Sequence, residues 1–145
     1  MTVVAERPAG GWPVHPYGIH HVAVRVPDFA AAVRFYTEAL GFTEDVTWGD
    51  PSRPSAMLEI GQGTYLEVFS GGNDDPKPDG ALLHLSLRTP DCDAAIARVR
   101  AAGGEILGEP RDAVTQGHQR TIRARLAFCR GPAGERIEFF QSDEM

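Results

Sequence analysis

The sequence predicts an α+β fold of two tandem βαβββ modules that together form a curved eight-stranded sheet. Two observations support this prediction: a segment near the start of the chain recurs without a gap near its middle, and a strand-like period gives way to a helical one within each copy. The chain has 145 residues, of which 42% are hydrophobic, so it has the size and apolar content of one domain.

The first module begins with a strand and a helix. Valine recurs at every second position of IHHVAVRV, which is the period of a half-buried strand. Asp28 follows as the expected N-cap of a helix, which carries apolar residues at helical spacing and ends at Gly41. Three further strands are predicted at 42–48, 55–60 and 64–69, separated by the turn-rich segments GDPSRP and GQG.

The second module repeats the first. HHVAVRVPDFAAAV aligns with LHLSLRTPDCDAAI, and RIEFFQ near the end of the chain aligns with YLEVFS. We therefore expect a first strand, a helix to about residue 102, a short strand at 105–107, a loop at 115–119, and strands at 121–129 and 136–140.

The expected domain organisation follows from these elements. Residues 1–16 contain three prolines and little periodicity, which predicts an irregular N-terminal arm. Residues 17–145 form a single domain, with modules at 17–70 and 81–142. The segment between them, 71–80, is rich in glycine, proline and aspartate and is predicted to be a linker.

Composition excludes several classes of function. The 20 acidic and 14 basic side chains give a formal net charge of −6, which disfavours binding to nucleic acid or anionic lipid. No apolar run approaches the roughly 18 residues that a membrane-spanning helix needs, and no secretory signal is visible, so we expect a cytoplasmic protein. Cys92 and Cys129 are too few and too far apart for a disulfide framework or a cysteine metal site.

Each module carries a histidine on its first strand and a glutamate on its last. These four residues are His21, Glu67, His84 and Glu138. Strand alternation places them opposite the apolar faces, so side-by-side packing of the modules would bring them together around a cavity. Two imidazoles and two carboxylates without thiolates suit one divalent ion, such as Zn, Ni, Co, Fe or Mn.

A structural alternative applies to each of these residues. A single polar residue in a strand is usually solvent-facing or hydrogen-bonded, and a duplication copies it whether or not it binds anything. Four symmetric positions favour a metal site. His20 is predicted to lie on the valine face as a structural or exposed residue, because its counterpart is Leu83. His15 and His118 fall in loops, and His118 could still line a substrate cavity.

From HVAVRVPDFAAAVRFYTEALGF, YLEVF, HLSLRTPD and FCRGPAGERIEFFQ, the chain resembles the vicinal oxygen chelate superfamily over residues 17–142. That superfamily includes glyoxalase I, methylmalonyl-CoA epimerase, fosfomycin-resistance thiol transferases, bleomycin-resistance proteins and extradiol dioxygenases. The ligand pattern is most similar to that of glyoxalase I, in which the four matching positions hold the metal. Epimerases and thiol transferases typically lack a glutamate at the position of Glu67.

The resemblance implies a metal-dependent lyase or isomerase that acts on a 2-oxo or 2-hydroxy carbonyl compound through an enediolate. It implies that Glu67 or Glu138 is the catalytic base, that Arg25 and its internal counterpart Arg88 contact the small-molecule substrate, and that the protein is a homodimer. Two alternatives stay open. One is a binding or resistance protein that captures a small molecule without turnover, and the other is a small mononuclear-iron dioxygenase.

Overall fold

The computed structural model describes residues 19–77, 80, 82–118 and 120–144. The predicted arm at 1–16, together with His15, lies outside the described residues. None of the helices in the described part of the chain is both long enough and apolar enough to cross a membrane.

The described residues form eight strands and two α-helices. In the first module they are β1 (His21–Arg25), α1 (Phe29–Arg34), β2 (Thr43–Trp48), β3 (Ser55–Gly61) and β4 (Thr64–Phe69). In the second they are β5 (Leu85–Arg88), α2 (Cys92–Ala101), β6 (Ile106–Gln116), β7 (Thr121–Arg130) and β8 (Arg136–Gln141). A π-helical turn, Phe35–Ala39, extends α1.

Aspartate caps both helices, as predicted for Asp28. Its side chain accepts a hydrogen bond from the Ala31 amide at 2.9 Å, and the side chain of Asp91 accepts one from the Ala94 amide at the same distance. Gly41 follows the π-helical turn with φ +78, a left-handed conformation that glycine adopts without steric cost. The duplicated sequence therefore produces duplicated helix starts.

The eight strands form two four-stranded sheets, with the orders β1-β4-β3-β2 and β5-β8-β7-β6. In each sheet the first strand pairs in parallel with the last, and the remaining pairs are antiparallel. This confirms the α+β class and the two βαβββ modules. The predicted single eight-stranded sheet is not formed by the described residues of one chain, because among them no hydrogen-bonded strand pair joins the two sheets.

The two sheets contribute their apolar faces to one core. Val24 and Val68 of the first sheet and Ile137 and Phe139 of the second belong to the same hydrophobic cluster, together with residues of both helices. The helical segments contact each other, and Arg98 in α2 donates a hydrogen bond to the Glu38 carbonyl at 3.1 Å. The opposite faces of the sheets therefore point away from this core.

Strand β6 is longer than the sequence predicts. It runs to Gln116 through Pro110, whereas the expected strand ended at 107. Two register irregularities interrupt its pairing with β7, between Ile106 and Gly108 and between Gly108 and Arg111. Proline is tolerated here because β6 is an edge strand with bulges, so the missing amide does not break a central ladder.

Candidate metal centre

The first histidine–glutamate pair forms between β1 and β4. The parallel register aligns His21 with Tyr65 and Ala23 with Glu67, so His21 and Glu67 are diagonal neighbours on one face. Their Nε2 and Oε2 atoms are 3.4 Å apart. The imidazole side chain is 41% exposed and the carboxylate 17%, so the pair opens toward solvent from the histidine side.

The second pair has the same arrangement. His84 immediately precedes β5, and Glu138 on β8 aligns with Ser86. The Nε2 atom of His84 and the Oε2 atom of Glu138 are 3.2 Å apart. Glu138 is only 8% exposed as a whole residue, and its side chain is 11% exposed. Because a glutamate is rarely this buried without a partner, its carboxylate indicates a site built to hold a positive or hydrogen-bonding group.

The two pairs do not meet within one chain. Among the residues that the structure describes, no group of three or more histidine, cysteine, aspartate or glutamate side chains is arranged to hold a metal ion. The expectation that side-by-side modules would bring all four residues together is therefore not met in a single chain. The reason is that the modules pack through their helices and apolar faces, which leaves the polar faces apart. We call the pairs half-site 1 (His21 and Glu67) and half-site 2 (His84 and Glu138).

An arginine and two aromatic side chains lie beside half-site 1. The strand registers place Arg25, Phe69, Ser55 and Trp48 in one row across the first sheet. The Arg25 guanidinium carbon is 5.4 Å from the centre of the Phe69 ring, and its Nη1 donates to the Ser70 carbonyl at 2.9 Å. Trp48 contacts the same Phe69 ring edge-on, with centroids 6.2 Å apart. This row places a cationic side chain, Arg25, and an apolar aromatic surface next to half-site 1.

Aromatic and arginine side chains also lie beside half-site 2. Phe128 is directly opposite Glu138 in the β7–β8 register, and its ring meets the His84 ring edge-on at 6.0 Å. Arg88 aligns with Phe140, so the arginine–phenylalanine neighbours of the first module recur in the second. Both arginines expected to contact substrate therefore lie on the site faces and are exposed.

The structure corrects the prediction for His20. It is exposed, but its ring stacks on Tyr65 and touches His21, both of which belong to the site face rather than the valine face. The alternation of faces along β1 does not extend to His20, because β1 begins at the next residue, His21. His118 is exposed in the loop between β6 and β7.

A sequence comparison extends these observations to known proteins. The model of the Glyoxalase/Bleomycin resistance protein/Dioxygenase superfamily matches residues 18–139. The chain belongs to this superfamily. This confirms the resemblance that the four sequence segments indicated. The superfamily includes both lyases and epimerases, so membership establishes the architecture and leaves the reaction to be proposed.

Individual relatives of this chain differ in the reactions that their names describe. The 2-epi-5-epi-valiolone epimerase of an Actinomyces species is 32% identical over 122 residues, which cover 68% of this chain and 66% of that protein. A probable lactoylglutathione lyase of Vibrio cholerae is 25% identical over 132 residues, which cover 87% of this chain and 91% of that protein. The trypanothione-dependent glyoxalase I of Leishmania major has a TM-score of 0.62 at 25% identity, with 85% of each chain covered.

The chemistry of the donor set fits a divalent metal ion. Each half-site supplies one imidazole nitrogen and one carboxylate, and two half-sites together supply a four-ligand set for a borderline or hard divalent ion. The cysteines are outside this set. Cys92 and Cys129 are buried, and the Cys92 thiol donates to the Arg125 carbonyl at 3.0 Å.

Proposed function

We propose that this protein is a metal-dependent lyase or isomerase of the glyoxalase I type, acting on a 2-oxo or 2-hydroxy carbonyl small molecule through an enediolate. The observation that carries this proposal is the pairing of one histidine with one glutamate on the site face of each module. A duplication that served only folding would not need to preserve both polar residues and their contact in both copies. The proposed ligands are His21, Glu67, His84 and Glu138, and the ion is Zn, Ni, Co, Fe or Mn.

We further propose that the complete site forms across a homodimer. Half-site 1 of one protomer would meet His84 of the partner subunit and Glu138 of the partner subunit, and two-fold symmetry would create two such sites. Within the described residues a single chain offers two ligands at each place, which would leave most of an ion's coordination to water.

Two features of the edge strands support this arrangement. Strands β1 and β5 lie at the edges of their sheets, so each has a free side on which another strand can pair. Exposed apolar side chains lie just before both strands: Ile19 is 70% exposed, Leu82 87% and Leu83 57%. Pairing of β1 with the partner's β5 would cover them and would join two four-stranded sheets into an eight-stranded sheet between subunits.

The chain's own residues have distinct tasks in this reaction. The bound ion would stabilise negative charge that develops on two adjacent substrate oxygens. Glu67 or Glu138 accepts the proton from the carbon beside the carbonyl and returns it to a neighbouring carbon or to the other face. Arg25, held by the Ser70 carbonyl and the Phe69 ring, binds an anionic part of the substrate, and Arg88 has the same role in the second module.

The reaction is tested by proton exchange. We would measure the metal content of protein purified without chelator and then follow, by NMR in deuterated solvent, the α-proton of methylglyoxal hemithioacetals and other 2-oxo and 2-hydroxy carbonyl compounds. Metal-dependent exchange is expected for at least one compound. If the metal-loaded protein binds a compound but exchanges no proton on any, the protein belongs to the sequestration class; oxygen consumption would instead indicate a dioxygenase.

The shared site is tested by mixing two defective variants. His21→Ala damages half-site 1, and His84→Ala damages half-site 2, so each homodimer should bind metal weakly. A mixed dimer contains one intact site, and random pairing should restore about one quarter of the wild-type tight sites. A site formed within one chain predicts no restoration. Light scattering that finds a monomer at all concentrations would also contradict the proposal.

A further inference from the structure

We propose that His20 is a positioning residue for His21: it accepts a hydrogen bond from Nδ1–H of His21 and thereby keeps Nε2 of His21 free of a proton and directed at the metal. This inference rests on the proposed metal site. It goes beyond the four ligands because His20 has no histidine counterpart in the second module, where Leu83 occupies the equivalent position.

The contact joins the two Nδ1 atoms. They are 2.9 Å apart, which is hydrogen-bond distance, and the rings are nearly perpendicular at 87°. The other nitrogen of His21, Nε2, faces Oε2 of Glu67 at 3.4 Å. His21 therefore presents Nε2 to its partner ligand and Nδ1 to His20.

The direction of the hydrogen bond follows from the chemistry of imidazole. A neutral ring carries one proton, and a nitrogen that binds a metal ion carries none. If Nε2 of His21 is the ligand atom, its Nδ1 must carry the proton and be the donor. His20 must then accept at Nδ1. A hydrogen bond from the second nitrogen of a metal-bound histidine sets the tautomer and orientation of the ring.

Tyr65 holds His20 in the accepting position. The two rings stack with centroids 5.2 Å apart and an angle of 26° between their planes. Tyr65 lies directly opposite His21 in the β1–β4 register and two residues before Glu67. The strand that supplies the carboxylate ligand therefore also fixes the residue that orients the histidine ligand.

Half-site 2 lacks this arrangement. Leu83 has no side-chain atom that can accept a hydrogen bond, and the His84 ring instead meets Phe128 edge-on. The two histidine ligands are thus supported differently: His21 by a polar contact and His84 by an aromatic one. Loss of the polar contact should affect His21 alone.

Three substitutions separate hydrogen bonding from packing. His20→Phe keeps a ring to stack on Tyr65 but removes the acceptor, whereas His20→Asn places an amide oxygen near the position of Nδ1. Val114→Ala is the control, because Val114 is an exposed apolar side chain on the edge strand β6, outside both half-sites and outside the proposed subunit contact. We expect His20→Phe to lower zinc affinity about 10- to 100-fold in a chelator competition, with most of the affinity retained in His20→Asn and all of it in Val114→Ala.

A spectroscopic readout tests the hydrogen bond itself. In zinc-loaded protein labelled with ¹⁵N-histidine, Nδ1–H of His21 should give a slowly exchanging proton signal in wild type and His20→Asn, and should exchange faster in His20→Phe. Wild-type zinc affinity in His20→Phe, or equal losses in the Phe and Asn variants, would overturn the positioning role while leaving the metal site intact. Unchanged affinity in His21→Ala would overturn both proposals.

Discussion

The carboxylates of the two half-sites are more shielded than the imidazoles that they contact. Glu67 and Glu138 side chains are 17% and 11% exposed, against 41% for His21 and 36% for His84. A shielded carboxylate is held in place by its surroundings, which a proton acceptor requires. As strand alternation predicted, the four residues form one histidine–glutamate pair on each sheet, and their role as metal ligands stays a prediction.

The first prediction concerns which glutamate is the base. Glutamine keeps an oxygen for the metal and nearly the same volume, but it does not accept a proton near neutral pH. The glutamine variant at the base should bind metal and substrate and lose on the order of 10²-fold or more in turnover, while the other is less impaired. Deuterium exchange into substrate with Glu67→Gln and Glu138→Gln measures this. Wild-type exchange in both variants would exclude either residue as the base.

The second prediction concerns Trp48, which the sequence did not indicate as a candidate functional residue. It contacts Phe69 in the row that begins with Arg25, and it lies on β2, three strands away from the proposed ligand His21 on β1. Because it would touch substrate away from the reacting atoms, Trp48→Ala should raise KM by roughly fivefold, equivalent to about 1 kcal/mol of aromatic contact, with little change in kcat. Trp48→Phe is the control. A loss confined to kcat would contradict this role.

At the scale of elements, most boundaries follow from local signals. The cap at Asp28, the stop near Gly41 and the strand at 64–69 needed only spacing and residue type. The strand through Pro110 was missed because proline normally argues against a strand, and only the sheet shows that β6 is an edge. The π-helical turn after α1 had no local signal either.

The third prediction tests the duplicated caps. Asp28→Ala and Asp91→Ala each remove a side-chain acceptor from a helix N-terminus, so each should lower the free energy of unfolding by about 1 kcal/mol. Urea denaturation of the single and double variants measures this, with Asp→Asn at each position as the control because asparagine also caps well. A loss in only one module would show that the two helix starts are not equivalent.

At the scale of the whole molecule, a partly buried hydrogen bond between Tyr36 and Glu135 joins the two modules. The Tyr36 hydroxyl of the first module donates to Oε1 of Glu135 in the second, and the Ala133 amide donates to Oε2 at 2.8 Å. Burial raises the pKa of Glu135 above its ordinary value of 4.5, while the hydrogen bond from Tyr36 lowers it. The pKa of Tyr36 is raised by burial and by the nearby Glu135 charge.

The fourth prediction follows from the sign of the Glu135 shift. A carboxyl whose pKa is raised on folding adds stability at low pH, and this contribution is lost as the pH rises through its folded pKa. Tyr36→Phe removes the donor that favours the charged form, so it should raise the pKa of Glu135 further. The variant should lose about 1–3 kcal/mol of unfolding free energy, and the loss should be larger at about pH 8 than at about pH 5.

Urea denaturation of wild type and Tyr36→Phe at both pH values measures this difference. The matched control is Tyr65→Phe, which removes a hydroxyl from a half-buried tyrosine of the first sheet rather than from the contact between the modules. An equal loss at both pH values would show that Glu135 does not titrate in this range. No loss at either would show that the inter-module hydrogen bond does not contribute to stability.

The sequence by itself determined the fold class, the duplication, the helix caps and the four candidate ligands. These features depend on the spacing of apolar residues over short stretches and on residue types that recur at a fixed offset, and both can be seen in a single sequence. It also determined which face of each strand a ligand such as His21 occupies, since alternation within a strand is local.

Only the tertiary structure decided which of these groups are neighbours. That half-sites 1 and 2 lie apart, that His20 contacts His21, and that Tyr36 reaches Glu135 all depend on strand register and on how the modules pack. Those depend on contacts between residues far apart in sequence, where burial of a shared apolar core outweighs local preference. The helices and the valine faces of the strands are apolar and pack inward, which leaves the four candidate ligands on the outward faces of the sheets.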